Sequence, residues 1–287
     1  VTNTNFTVEP VPNTSFGARL TGLNLNDLDD QTFSQLYACW LEFGLLIFPA
    51  QHLTNEQQVD FARRFGELEF PLAPISNIRK DGSVRPEDDD AVKVLKGNMG
   101  WHADSTYMPV QAKGAVFTAH IVPPSGGETG WADMRAAYDC LDADMKEKLE
   151  GLSAYHSLHY SQMKLGHDSK KDKGSYSGYG FHDQDPPLRP LVKTHPETGK
   201  KSLLIGRHAY GIPGLSESES ETLLDELMVH ACQAPRIYHH SWTPGDAVIW
   251  DNRCLLHQAC PWDLAVPRLM FHARIAGDEI SEFAANA

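Results

Sequence analysis

Two short motifs lie far apart in this chain and must meet if either is to mean anything. The first is Gly100-Trp-His-Ala-Asp-Ser-Thr-Tyr-Met-Pro109. In an extended segment side chains alternate faces, so His102 and Asp104 point the same way. The second is Trp250-Asp-Asn-Arg-Cys-Leu-Leu-His257, which follows an apolar, strand-like run. His257 is the best candidate to complete two histidines and one carboxylate, the set that leaves coordination positions open on non-haem Fe(II). Everything else in the chain reads as scaffolding around these motifs, much of it short strands.

The rest of the sequence supplies such strands. Gly17–Leu25, Leu45–Pro49, Gly114–His120, Ile237–Ser241, Ala247–Trp250 and Arg268–Ile275 read as short strands between Gly and Pro turns. Helices are expected where apolar residues recur at helical spacing behind a cap. Asp29 or Asp30 opens one ended by Gly44, and Thr54-Asn-Glu-Gln57 is a capping box closed at Gly66. Asp133, Asp142 and Ser216 open three more. Residues 75–93, with Glu87-Asp-Asp-Asp90, read as a solvated surface loop. The poorly periodic stretch 160–190 is expected to be a lid.

Taken alone, His-x-Asp is weak, because a lone histidine more often serves structure, and this chain has 14. The set is stronger. His102-x-Asp104, the Trp-Asp-Asn-Arg-x-x-x-His257 motif, Gly-Gly-Glu-Thr129 and Arg268 in Arg-Leu-Met-Phe-His-Ala-Arg274 follow in order along the chain. With them the chain resembles the taurine dioxygenase and 2,4-dichlorophenoxyacetate dioxygenase family of Fe(II)/2-oxoglutarate oxygenases. The resemblance implies a mainly β fold, a double-stranded β-helix (a cupin-like jelly roll) with a helical N-terminal part and insertions, as one domain over 1–287. It also implies His102, Asp104 and His257 as iron ligands and catalytic centre, with O2 as co-substrate and ascorbate as the reductant used in vitro. Arg268 and Thr129 would hold the distal carboxylate of 2-oxoglutarate, where a guanidinium fork suits a carboxylate better than lysine.

At the substrate end the pattern departs from taurine-type members, whose second arginine is His272 here, so taurine is not the expected substrate. Arg207, Lys96 and Arg274 are the candidate replacement cations, and Asn98, Met99 and Tyr107 the candidate pocket wall. The runs Gly97-Asn-Met-Gly-Trp-His-Ala-Asp, Pro187-Leu-Arg-Pro-Leu-Val-Lys193 and Ser202-Leu-Leu-Ile-Gly-Arg-His-Ala209 are similar to the (S)-selective aryloxypropionate dioxygenase branch. That likeness implies hydroxylation beside an ether oxygen, giving a phenol and a 2-oxo acid. The alternatives are the same chemistry on a natural small carboxylate or sulfonate, and a metal-binding jelly roll without activity.

Composition narrows the partners. A net charge of −13 argues against nucleic acid, which wants a basic surface. A small anionic substrate would instead depend on local cations, because salt screens the general field beyond about 8–10 Å. No segment approaches the roughly 20 apolar residues that cross a bilayer. Five scattered cysteines without Cys-x-x-Cys spacing read as reduced thiols. A cytoplasmic protein is expected, and homo-oligomerisation is left open.

Overall fold

In the computed structural model, residues 5–166 and 185–285 are described. The first half runs β1 (Thr7–Pro10), β2 (Ala18–Thr21), α1 (Asp30–Phe43), β3 (Leu45–Phe48), α2 (Asn55–Arg63), β4 (Ala73–Ser76), α3 (Asp90–Gly97), β5 (Gly114–Ile121), β6 (Thr129–Asp133), α4 (Met134–Asp139) and α5 (Ala143–Leu149). The second half runs β7 (Ser153–His156), α6 (Leu158–Lys164), β8 (Leu188–Pro190), β9 (Val192–Thr194), β10 (Lys201–Leu203), β11 (Ala209–Tyr210), α7 (Glu217–Ala231), β12 (Ile237–His240), β13 (Ala247–Asp251), β14 (Leu255–Ala259) and β15 (Leu269–Ile275).

Seven strands form one sheet in the order β1-β2-β3-β13-β5-β15-β4, and β12-β6-β14 form a second. Ladders β3–β13, β13–β5 and β5–β15 are antiparallel and join residues from opposite ends of the chain. Both faces of the large sheet are covered, which is why β13 reads as the unbroken apolar run Ala-Val-Ile-Trp. Ala247 and Ile249 pack with Trp40, Phe61 and Phe65 under α1 and α2. Val248 and Trp250 face the other way and pack with Trp131 and Leu255 of the second sheet. A third cluster gathers Ala137, Leu203, Leu223, Leu227 and Leu256 beneath α7.

Helix starts follow their sequence signals. Asp29 accepts from Thr32 N–H, and Thr54 and Gln57 bond reciprocally in the expected capping box. Asp133, Asp142 and Ser216 cap α4, α5 and α7. The surface loop expected over 75–93 is corrected at both ends. Its first residues belong to β4, which pairs with β15, and its last to α3. The charged run ends in a cap, since Asp89 accepts from Ala91 N–H while Val92 and Leu95 turn inward. The lid expected over 160–190 falls mostly outside the described residues, with α6 and β8 at its two ends. None of the described helices is long and apolar enough to cross a membrane.

Candidate metal centre

His257 lies inside β14 and faces His102 across a single antiparallel bridge. His102 N–H donates to the His257 carbonyl at 2.9 Å, and His257 N–H donates to the His102 carbonyl at 2.7 Å. Main-chain bonds therefore bring two rings together, centroids 4.2 Å apart, that the sequence separates widely. The expected ligand strand is not one. Beyond that bridge the segment turns, and Ser105 takes a left-handed backbone (φ 57°) that a β-strand does not contain. Asp104 N–H donates to Asn252 Oδ1 at 3.3 Å, the same oxygen that accepts from Trp250 Nε1 at 3.0 Å.

His102, Asp104 and His257 are all buried, with one ligand atom from each lying within 4.8 Å of the others. The Gly100 carbonyl accepts from His102 Nδ1 at 2.7 Å, which sets Nε2 as the bare nitrogen. Burial, followed by His257 and Arg207, holds His102 well below its usual pKa. Burial likewise lowers His257 to about 4 against the pull of Asp104. Both imidazoles are thus neutral near pH 7, the form that ligates a metal. Burial works to raise the Asp104 pKa, but Arg274, His257 and His272 override it and keep the carboxylate ionised. Among the described residues its buried Oδ2 has no hydrogen-bond partner, with His272 Nε2 at 3.4 Å and His257 Nε2 at 3.8 Å. A buried, unpaired carboxylate oxygen beside neutral imidazoles fits a divalent cation such as Fe(II).

Arg268 enters from the residue before β15 and is 2% exposed. Its Nη2 donates to the Gly127 carbonyl at 3.1 Å, its guanidinium lies over Trp262, and its Nε has no hydrogen-bond partner among the described residues. Burial lowers its pKa to about 10, so it stays charged. Gly127, with φ 72°, lets the backbone come this close, since a Cβ there would lie 3.3 Å from Arg268 Nε. Two residues on, Thr129 opens β6, the strand that pairs with β14. Thr129 Oγ1 accepts from Trp242 Nε1 at 3.0 Å, which leaves its own O–H available to a second partner. These atoms fit the distal carboxylate of 2-oxoglutarate.

The three candidate substrate cations part company. Arg207 N–H donates to the Trp101 carbonyl, beside His102, while its buried Nε and Nη1 have no hydrogen-bond partner among the described residues. Gly100 gives it room, because a Cβ there would lie 3.1 Å from Arg207 Cδ. Burial lowers its pKa to about 10. Lys96 is half-exposed on α3 and pairs with Glu87 at 3.0 Å. Arg274 lies on Asp104 instead, with Nη2 at 2.9 Å from Oδ1. Asn98 caps the end of α3, and its carbonyl accepts from Ala259 N–H of β14. Met99 follows in the turn to His102, and Tyr107 is buried with its ring edge-on to His208.

In sequence, His272 stands where taurine-type members carry a second arginine. The structure puts its Nε2 at 3.4 Å from Asp104 Oδ2, with the ring stacked on Trp250. Met270, His272 and Arg274 share one face of β15, and that alternation was the available signal. Ser105 and Asn252 lie within the two quoted motifs without a role being assigned to them, and Glu69 carried no signal, since only long-range packing brings it to the site.

Comparison with known proteins gives a consistent picture. The family described as "Taurine catabolism dioxygenase TauD, TfdA family" matches residues 7–274. A protein of Sphingobium herbicidovorans described as an (S)-phenoxypropionate/alpha-ketoglutarate-dioxygenase is 66% identical over 281 residues, covering 97% of this chain and 98% of its own. A Delftia acidovorans protein of the same description is 55% identical, covering 94% and 95%. The crystal structure of AAD-2 in complex with Mn(II) and N-oxalylglycine superposes with a TM-score of 0.87 at 36% identity, covering 96% of this chain and 98% of that one.

Proposed function

This chain belongs to the taurine catabolism dioxygenase TauD, TfdA family, and from that premise we propose that it oxidises aryloxyalkanoates, (S)-aryloxypropionates foremost, at the carbon next to the ether oxygen. The observation that carries the reading is the buried His102, Asp104, His257 set, in which Asp104 Oδ2 accepts no hydrogen bond from the described residues. The named relatives support the substrate class and its hand. We read the two packed sheets as a double-stranded β-helix and residues 1–287 as one catalytic domain.

Bound iron, with O2 and 2-oxoglutarate, supplies the oxidising chemistry, in which 2-oxoglutarate leaves as succinate and CO2 and one oxygen atom enters a substrate C–H bond. His102, Asp104 and His257 would hold the iron, a set of two histidines and one carboxylate that would leave positions open to reactants. Arg268 clamps the distal carboxylate of 2-oxoglutarate, with the Thr129 hydroxyl as a second donor. Of the three candidate cations, Arg207 is the one we assign to the substrate carboxylate, because its buried Nε and Nη1 have no hydrogen-bond partner among the described residues while Lys96 and Arg274 are engaged by Glu87 and Asp104. Asn98, Met99 and Tyr107 line the side that takes the aryl group. A carboxylate fixed on Arg207 would turn the adjacent C–H toward the metal, so one enantiomer presents hydrogen where the other presents methyl. The hydroxylated carbon then bears both a hydroxyl and an aryloxy group. As the C–OAr bond breaks, the hydroxyl proton passes to the phenoxide, giving a phenol and a 2-oxo acid.

The test is purified protein with Fe(II), ascorbate, O2 and 2-oxoglutarate, assayed for succinate and phenol. The panel holds both enantiomers of aryloxypropionates, phenoxyacetates, taurine and alkyl carboxylates. Equal succinate and phenol from the (S)-aryloxypropionates is the expected result. Succinate coupled only to an alkyl carboxylate or taurine would replace the substrate, and no succinate at all would leave a metal-binding fold without activity.

A further inference from the structure

Arg274 faces three groups at once. Its Nη2 is 2.9 Å from Asp104 Oδ1, its Nη1 donates to Ser105 Oγ at 3.2 Å, and its Nε lies 3.9 Å from Glu69 Oε2. Ser105 Oγ in turn donates to Glu69 Oε2 at 2.9 Å, and the guanidinium sits over the Phe70 ring at 4.8 Å. Ser105 is fully buried and is the residue whose left-handed backbone turns the chain immediately after Asp104. A non-glycine residue in that region costs roughly 1 kcal/mol or more and persists where surrounding contacts hold it.

We propose that Arg274 is the positioning residue of the metal centre: with Glu69 and Ser105 it clamps the turn after Asp104 and occupies Oδ1, so that only Oδ2 is presented to the metal. The inference rests on the metal-centre reading above. Its consequence is coordination arithmetic. A carboxylate restricted to one oxygen takes one position, which leaves three for the two donor atoms of 2-oxoglutarate and for O2. The same carboxylate binding through both oxygens would take one of those three. His272 closes the other side of Asp104 at 3.4 Å from Oδ2, its ring held flat against Trp250, so the carboxylate is bounded on both sides. Glutamine at 274 could reach one of these partners at most. Lysine would keep the charge but not the fork that spans Asp104 and Ser105 together.

The experiment is a titration of the purified protein with Mn(II) alone, free Mn(II) being followed by electron paramagnetic resonance, for wild type, R274Q, R274K and S105A. Circular dichroism melts confirm that each variant is folded. Partners behind a metal ligand are typically worth about 10–100-fold in affinity, so R274Q is expected to weaken Mn(II) binding at least tenfold, with R274K and S105A between it and wild type. KM for an (S)-aryloxypropionate is measured alongside. Unchanged Mn(II) affinity in folded R274Q, with a raised substrate KM, would overturn the proposal and make Arg274 a substrate cation. Unchanged values of both, with a lower melting temperature, would overturn it in favour of a purely structural role. Should R274Q fail to fold, R274K and S105A decide the matter. Failure of the wild-type protein to bind Mn(II) would instead sink the metal-centre reading itself.

Discussion

Arg268 and Arg207 are both buried guanidinium groups with donors left over, yet they stand at opposite ends of the proposed reaction and are separable by kinetics. R268K keeps the charge and loses the fork, so KM for 2-oxoglutarate should rise about tenfold or more while KM for the aryloxy acid stays put. R207Q should do the reverse, raising KM for the aryloxy acid about tenfold with 2-oxoglutarate unaffected. If both variants raised the same KM, the assignment of the two carboxylates would fail. At this scale the buried His102, Asp104, His257 set was legible because four motifs follow in order along the chain and together resemble a known family, where His-x-Asp alone is weak. What aims them was not. The Ser105 turn and the Arg274 contact depend on Glu69 and β15 arriving from elsewhere in the chain, and no local pattern encodes such arrivals.

Elements were readable where a cap announced them. Thr54 and Gln57 satisfy each other's backbone donors at the start of α2, whose buried Gln58 donates to carbonyls of β5 and β15. T54A removes one half of that exchange, so stability should fall by about 1 kcal/mol in a urea titration, with turnover intact. A loss well beyond this would mean that α2 holds the large sheet through its first turn. The reading erred at α3 because Glu87-Asp-Asp-Asp90 resembles any charged loop, and only Val92 and Leu95 betray a packed face. It erred again at His102, where a single bridge stands in place of a strand, because alternation over three residues does not distinguish the two.

For the molecule as a whole, the order β3-β13-β5-β15 could not be read from sequence, since every one of those ladders joins strands far apart along the chain. Buried titratable groups impose a pH limit on that assembly. His156 on β7 is fully enclosed, neither ring nitrogen has a hydrogen-bond partner, and burial, aided by Arg189, lowers its pKa to about 3. Above pH 6.5 the residue is neutral folded or unfolded and has no effect. Below it the unfolded chain takes up a proton that the folded one refuses, so stability falls as pH drops towards 3, by at most about 1.4 kcal/mol per pH unit from this residue. H156L should flatten the decline of melting temperature between pH 6 and 4, in roughly that window. An unchanged slope would show that other groups govern acid unfolding.

The reciprocal amide bonds between His102 and His257 have a bearing on redesign. Amide groups are common to every residue except proline, so the spacing of these two ligands does not depend on which side chains surround them. A library that varies Met99 in search of new substrates therefore leaves those amide bonds in place, while Arg207 stays fixed, because its charge helps to hold His102 below its usual pKa. Proline at position 102 or 257 would remove one of the two bonds together with a ring, and proline at 207 would break the bond from its N–H to the Trp101 carbonyl.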